Sequence, residues 1–226
     1  LHEQLERELA EFEHKEDAYL LNFGYQGMIS ILDSLLTRRD VVVYDEECHA
    51  CIMDGLRLHM GIRMKYAHND IVDCEKVMAR ATKKAEEQGG GVLLVTEGVY
   101  GMTGALGILD QLVALKQKYN FRILIDDAHG FGVMGEHGAG TSEHFGVMDG
   151  IDLYFGAYAK SMASIGGFIA GPAPIIGFLR YNMRSQIYAK SLPMAFVEGN
   201  LKRLDMIRKG DERRKHLFKI ARALQN

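Results

Sequence analysis

The chain has 226 residues, of which 47% are hydrophobic and 25% charged, a composition typical of a globular domain with a sizeable core. The formal net charge is −3, so the sequence provides no broad basic field for a nucleic acid or an anionic membrane. No apolar run approaches the roughly 20 residues of a transmembrane helix. Three cysteines, an odd and small number, favour a reducing cytoplasm over a secreted disulfide framework.

Helical and strand-like patterns alternate along the chain. An amphipathic helix is predicted over residues 1–15, followed by an apolar run at 18–21 and a second helix to about residue 36. Strands are predicted over 41–44, 63–66, 91–96, 122–125, 153–155 and 167–170. Further helices are predicted near 51–59, 72–87, 109–119, 173–181 and from about 194, the last with a break at Gly210. Helix-like patterns at both ends suggest a piece of a longer protein.

The order of these elements predicts the fold class. Continuous apolar strands separated by helices indicate α/β architecture, with a mostly parallel sheet covered by helices on both faces in three layers. Ligands of such sheets bind at the carboxyl ends of the strands. The loops that follow the strands are therefore where chemistry is expected.

Two of these loops carry reactive side chains. Asp126, Asp127 and His129 directly follow one buried strand, and Lys160 follows the next one after a run of small residues. Taken alone, the carboxylates fit loop capping equally well, and a lone lysine after a strand is usually solvated. The small residues around Lys160 favour a side chain that is buried in a pocket.

A Cys-x-x-Cys spacing surrounds His49 in the loop after the first predicted strand. Cys48 and Cys51 allow a zinc or redox interpretation. No second Cys/His pair with ligand spacing accompanies them, so no metal site is predicted. A histidine at the start of a helix also fits a simple capping role.

Together these segments resemble the α-oxoamine synthase family of fold-type I pyridoxal 5′-phosphate (PLP) enzymes, and bacterial serine palmitoyltransferases in particular. The resemblance rests on residues 45–50 (DEECHA), 96–100 (TEGVY), 126–130 (DDAHG), 156–168 (GAYAKSMASIGGF) and 182–194 (NMRSQIYAKSLPM). It implies a PLP-binding large domain over residues 1–200, truncated at its N-terminus. Residues 201–226 would begin the helix that leads to a C-terminal small domain.

The resemblance also implies a role for each side chain. Lys160 would bind the cofactor covalently and later shuttle a proton at the substrate, and its burial would favour the neutral amine. Asp126 would pair with the pyridine nitrogen and keep it protonated. His49 would stack on the ring, and His129 would bind the ring hydroxyl.

The phosphate group of the cofactor would lie at the start of a helix. Gly24 and Tyr25 would donate backbone N–H groups to it. Ser191 would lie near the phosphate of the neighbouring subunit, because this family builds shared active sites in a homodimer.

Three positions depart from the commoner pattern of the family. Ala157 replaces a phosphate-binding threonine, and the hydrogen bond so lost is worth about 1.5–3 kcal/mol. Gly101 replaces a frequent serine, and Ala105 replaces a frequent acidic residue. These departures predict weakened cofactor contacts.

The implied reaction is the decarboxylative condensation of an amino acid with an acyl-CoA, giving an α-amino ketone. L-Serine and palmitoyl-CoA, as in the first step of sphingolipid synthesis, are the first expectation. Glycine C-acetyltransferase and 8-amino-7-oxononanoate synthase activities are the alternatives within the family. A non-catalytic partner subunit that keeps the fold is an alternative of another class.

Overall fold

A computed structural model describes residues 1–225 of the chain. The strands are β1 Asp17–Leu21, β2 Val41–Asp45, β3 Ile62–Tyr66, β4 Val92–Glu97, β5 Arg122–Asp126, β6 Leu153–Ala157 and β7 Gly167–Gly171. The helices are α1 His2–Phe12, α2 Gly24–Leu35, α3 Ala50–Leu58, α4 Ile71–Gln88, α5 Leu109–Ala114, α6 Thr141–His144, α7 Ala173–Asn182, α8 Arg184–Ile187, α9 Met194–Arg208 and α10 Asp211–Gln225. Short 3-10 turns follow α5 and precede β6.

The seven strands form one sheet in the order β1-β7-β6-β5-β4-β2-β3. Strands β3, β2, β4, β5 and β6 pair in parallel, whereas β7 is antiparallel to both of its neighbours. The order reverses between β2 and β4, where the chain changes direction across the sheet. This reversal is the point at which doubly wound sheets bind their ligands.

Alternating side chains of each strand enter two different cores. Ile123 and Ile125 of β5 belong to the core beneath α1, α4 and α9, whereas Leu124 belongs to the core beneath α2, α3 and α7. Both faces of the sheet are therefore buried, which explains the continuous apolar runs of the strands. The predicted three-layer α/β/α architecture with a mostly parallel sheet is confirmed.

The first helix ends three residues earlier than the predicted 1–15. Its last residue is Phe12, because His14 has a positive φ of 52° that interrupts the helix. Glu13 is fully buried, and the Lys15 ammonium donates to the carbonyls of Met148 and Ile151. Two charged residues thus turn inward where the pattern predicted a helical surface.

The break predicted at Gly210 is present, since α9 ends at Arg208 and α10 begins at Asp211. The predicted domain boundary at residue 200 falls inside α9, whose Val197 and Leu204 are both in the core beneath the sheet. The division into domains stays a prediction, and Asn226 lies outside the described residues. Among the described helices, none is both long and apolar enough to cross a bilayer.

Candidate active site

A cavity of about 330 Å³ opens at the carboxyl edge of the sheet, within the size range of small-molecule sites. Its walls come from the ends of β4, β5 and β6 and from the first residues of α2 and α3. Six of the seven residues predicted for the site line it: Gly24, Tyr25, His49, Asp126, His129 and Lys160. They come from segments far apart in sequence, and the parallel strand order brings them to one edge.

Asp126 forms the deep end of the cavity, as the last residue of β5. Its side chain is buried; Oδ1 accepts from the N–H of Ala128 at 3.1 Å, and Oδ2 lies 3.7 Å from the Cys51 thiol. Burial raises the pKa of Asp126 to about 6, and the nearby Asp127 adds to the rise. Few protein groups donate hydrogen bonds to this carboxylate. It is therefore available to a cationic ring nitrogen of a bound ligand.

His49 stands at the mouth of the cavity, between β2 and α3. Its Nδ1 accepts from the backbone N–H of Cys51 at 3.2 Å, so the side chain caps α3. The ring is 6.2 Å from that of Tyr25, edge to face. The capping role and a place in the site are therefore compatible.

Lys160 lines the cavity from the loop after β6, but the expectation that it is buried is wrong. Its side chain is exposed, as are those of its neighbours Ala159 and Ser161, because the chain leaves the sheet at Ala157. The amine is thus reachable from the opening of the cavity.

His129 also lines the cavity, and its ring lies beside Gly101. Burial and the charges of Lys160 and His49 lower the pKa of His129 below its usual range, which favours the neutral imidazole. A Cβ placed on Gly101 would come within 2.4 Å of His129 Nε2. The glycine is therefore what allows the imidazole its present position, and a larger residue would displace the ring.

The start of α2 also lines the cavity. No side chain caps this helix, so its first N–H groups, at Gly24 and Tyr25, lack helical partners and suit an anion. A Cβ on Gly24 would lie 3.4 Å from the Cβ of Ala157. Ala157, the position at which a threonine hydroxyl is missing, therefore lies next to the start of α2.

Among the lining residues that were not predicted from the sequence, Glu97 and Cys51 carry ionisable side chains. Glu97 ends β4 and is buried, and Cys51 lies between His49 Nδ1 and Asp126. The available signal for Glu97 was an acidic residue closing an otherwise apolar strand. Cys51 is one of three cysteines, all of them free and buried.

Two residues named from the sequence lie elsewhere. Ser191 is exposed and outside the cavity of its own chain. Ala105 accepts the backbone N–H of Tyr100 in the loop after β4 and does not line the cavity. The predicted place of Ser191 beside a neighbouring subunit stays a prediction.

The whole chain, residues 1–226, matches the family model described as aminotransferase class I and II. The chain belongs to this family. Cysteate-C-fatty acyltransferase of Capnocytophaga ochracea is 56% identical over all of the chain, and serine palmitoyltransferase of Sphingobacterium spiritivorum is 37% identical over 97% of it. The chain spans 54% of the length of each, about half of these curated relatives.

Solved structures of family members have the same fold. Serine palmitoyltransferase of Sphingomonas wittichii superposes with a TM-score of 0.90, at 32% identity over 96% of this chain and 53% of that one. A serine palmitoyltransferase solved with PLP has a TM-score of 0.91 at 30% identity, over 98% of this chain and 54% of that one. The predicted resemblance to α-oxoamine synthases and the prediction of PLP as cofactor are confirmed.

The cavity of this chain fits that cofactor chemically. It offers a reachable amine, a buried carboxylate, two imidazoles and a helix start in one cavity. These groups match an aldehyde, a basic ring nitrogen, a ring hydroxyl and a phosphate, the functional groups of PLP.

Proposed function

We propose that the chain is the cofactor-binding part of a PLP-dependent C-acyltransferase, which condenses an amino acid with a fatty acyl-CoA and releases carbon dioxide. The observation that carries this proposal is the convergence of Lys160, Asp126 and His49 on one cavity. The 56% identity with a fatty acyltransferase supports the reaction class.

Each lining residue has a chemical task in this reaction. Bound PLP supplies an electron sink for negative charge at the substrate α-carbon. Lys160 holds the cofactor and moves the α-proton, and Asp126 keeps a proton on the ring nitrogen. His49 packs on the ring face, and His129 donates to the ring hydroxyl oxygen.

The phosphate is assigned to the start of α2. Gly24 and Tyr25 donate backbone N–H groups there, and the partial positive charge of the helix end adds to them. Ala157 contributes no hydroxyl, so the helix start carries more of the phosphate binding than in relatives with a threonine.

We favour cysteate as the amino acid. The relative named for cysteate is 56% identical, whereas the serine palmitoyltransferase of Sphingobacterium spiritivorum is 37% identical. Serine with palmitoyl-CoA is the second candidate. Cysteate differs from serine by a sulfonate in place of the hydroxyl, so the two substrates differ by a full negative charge.

The test is CoA release by the protein as its gene encodes it, with cysteate, serine, glycine and alanine, each with palmitoyl-CoA or acetyl-CoA. We expect the fastest release with cysteate and palmitoyl-CoA. Faster release with serine would support the second candidate, and faster release with glycine and acetyl-CoA would support an acetyltransferase. No release with any pair would contradict an enzyme and support a non-catalytic subunit.

A homodimer with shared sites belongs to the same proposal. Large apolar side chains are exposed along α7, α8 and the start of α9, namely Phe178, Tyr181, Ile187, Tyr188, Met194 and Phe196. Ser191 is exposed within this surface, where a second copy would bring it towards the partner's phosphate. Sedimentation equilibrium would give twice the mass of one chain, and a monomer at micromolar concentration would contradict it. A cytoplasmic location also remains a proposal.

A further inference from the structure

Glu97 is a buried acid that lines the cavity and has no task in the reaction outlined above. It ends β4, whose other residues from Val92 to Thr96 are also buried. Its side chain is 4% exposed. A carboxyl group in such a place is costly unless neighbouring groups bind it.

The group that binds Glu97 is the backbone of His49. The His49 N–H donates to Glu97 Oε1 across a separation of 48 residues in sequence. No other acceptor for this N–H is present in the described part of the chain. The side chain of His49 is held separately, because the backbone N–H of Cys51 donates to His49 Nδ1. Glu97 thus fixes the backbone from which the imidazole projects, and Cys51 fixes the turn of the ring.

The charges around Glu97 are divided between two acids. Burial, together with the charge of the neighbouring Asp126, raises the pKa of Glu97 to about 8, although the backbone N–H groups of His49 and Gly101 lower it. The pKa of Asp126 is raised to about 6 only. The pKa of Glu97 is therefore raised above that of Asp126, so Asp126 ionises first of the two, and two acids with separated pKa values can serve two tasks.

We propose that Glu97 is a positioning residue of the cofactor cavity, which sets the place of the His49 ring through the backbone N–H of His49. The inference rests on the proposed function, because it takes the His49 ring to pack on the cofactor. Glu97 itself need not touch the reacting atoms.

A double-mutant cycle on the chain tests this inference, with PLP affinity measured by absorbance titration. Glu97→Met fills about the same volume without an acceptor for the His49 N–H. We expect it to weaken PLP binding about tenfold, because the His49 ring is no longer held where it packs on the cofactor. Glu97→Gln keeps an acceptor oxygen and no charge, so its affinity should stay within about threefold of the wild type. In a His49→Ala background, Glu97→Met should add less than about threefold, because the ring that it positions is gone.

The visible circular dichroism of bound PLP provides a second readout, since it reports the orientation of the ring in its asymmetric site. We expect Glu97→Met and His49→Ala to change this band in the same direction. The band of Glu97→Gln should resemble that of the wild type. Glu46→Ala is the matched control, because Glu46 lies in the same loop as His49 and pairs with Lys65 at the surface. It should change neither readout. Glu97→Ala repeats the cycle if the methionine variant does not fold.

The outcomes separate this inference from the proposed function. A full tenfold loss from Glu97→Met in the His49→Ala background would overturn the positioning role, as would a glutamine variant as weak as the methionine variant. Failure of the wild-type chain to bind PLP at all would overturn the proposed function instead.

Discussion

Asp126 and Asp127 are neighbours in sequence, but they face opposite sides of the sheet and meet different surroundings. Asp126 faces the cavity, where one backbone N–H and a thiol are its partners. Asp127 faces the core beneath α1, where its Oδ2 accepts from the N–H of Thr141 at 2.7 Å and from the hydroxyl of Tyr154 at 2.9 Å. One carboxylate is open to a ligand, and the other is enclosed by the protein.

Three glycines surround the carboxylate of Asp127. A Cβ on Gly98 or Gly140 would come within 2.0 Å of its oxygens, and a Cβ on Gly130 within 2.1 Å. Gly98 belongs to the loop after β4, and Gly130 and Gly140 belong to the loop between β5 and α6, both at the carboxyl edge of the sheet. Asp127 therefore holds the loops together on the α1 side of the sheet, the back. Asp126 lies on the cavity side, the front, where it is available for chemistry. The comparison predicts that substitutions in front affect activity and those behind affect stability.

Removal of the Lys160 amine should have the largest effect on the front side. We expect Lys160→Ala to lower CoA release on the order of 10³-fold or more, since no other group replaces the nucleophile. The free energy of unfolding of the chain without cofactor should change by less than about 0.5 kcal/mol, because the side chain is exposed. Lys83→Ala, an exposed lysine on α4, is the control. A large loss of stability in Lys160→Ala would contradict the division between front and back.

Replacing Asp126 and Asp127 one at a time tests the comparison with the same substitution on each side of the sheet. Asp127→Ala leaves the Thr141 N–H and the Tyr154 hydroxyl without a buried acceptor, so we expect the free energy of unfolding to fall by about 3 kcal/mol. Asp126→Ala loses one backbone hydrogen bond and a desolvated charge, and should cost less than about 1 kcal/mol. Urea unfolding of both variants without cofactor measures the difference. Equal losses would show that the two sides of the sheet do not differ in this way.

Glu13 sharpens the comparison, because it is a second buried carboxyl behind the sheet. Both of its side-chain oxygens are buried without partners among the described residues, and burial together with the charge of Asp127 raises its pKa well above the usual value. The folded state therefore holds a proton that the unfolded state releases above pH of about 4.3, and stability falls as pH rises from there to the folded pKa.

Glu13→Gln removes this titration. We expect the variant to gain stability over the wild type by roughly 1 kcal/mol for each pH unit above about 5, until the folded pKa is passed. Urea unfolding at pH 5, 6 and 7 measures the slope. Glu3→Gln, at an exposed position on α1, should show no such gain, and parallel pH curves for wild type and Glu13→Gln would refute the expectation.

The smallest effect is expected at the phosphate end of the cavity. Ala157→Thr adds a hydroxyl beside the start of α2, and one charge-assisted hydrogen bond should strengthen PLP binding about tenfold. Ala157→Val has the same shape without the hydroxyl and should not strengthen binding. An equal gain in both variants would mean that packing, not the hydroxyl, had been missing.

The periodicity of the sequence predicted most of the architecture. Apolar runs placed β2 and β5 to within one residue, and Asp126 and His129 lie at the sheet edge because polar residues directly follow a buried strand. The sequence pattern did not predict β1 as a strand. This strand has only five residues and pairs only with the antiparallel β7, so its sequence carries no distinct strand pattern.

The partners of individual side chains were less predictable. The bond between His49 and Glu97 depends on β2 lying beside β4, a non-local pairing that no local pattern encodes. Burial of Lys160 was inferred from small neighbours, but those neighbours follow the last residue of β6 and lie in an exposed loop. Local composition thus located the reactive residues but did not determine their surroundings.

The central claim is that Lys160 reacts with PLP inside the cavity that Asp126 and His49 complete. The most direct test is to add PLP to the chain, reduce the product with borohydride and map the modified lysine by peptide mass spectrometry. We expect an absorbance band at about 420 nm before reduction and the cofactor on Lys160 afterwards. Uniform labelling of surface lysines, or a labelled lysine other than Lys160, would contradict the claim.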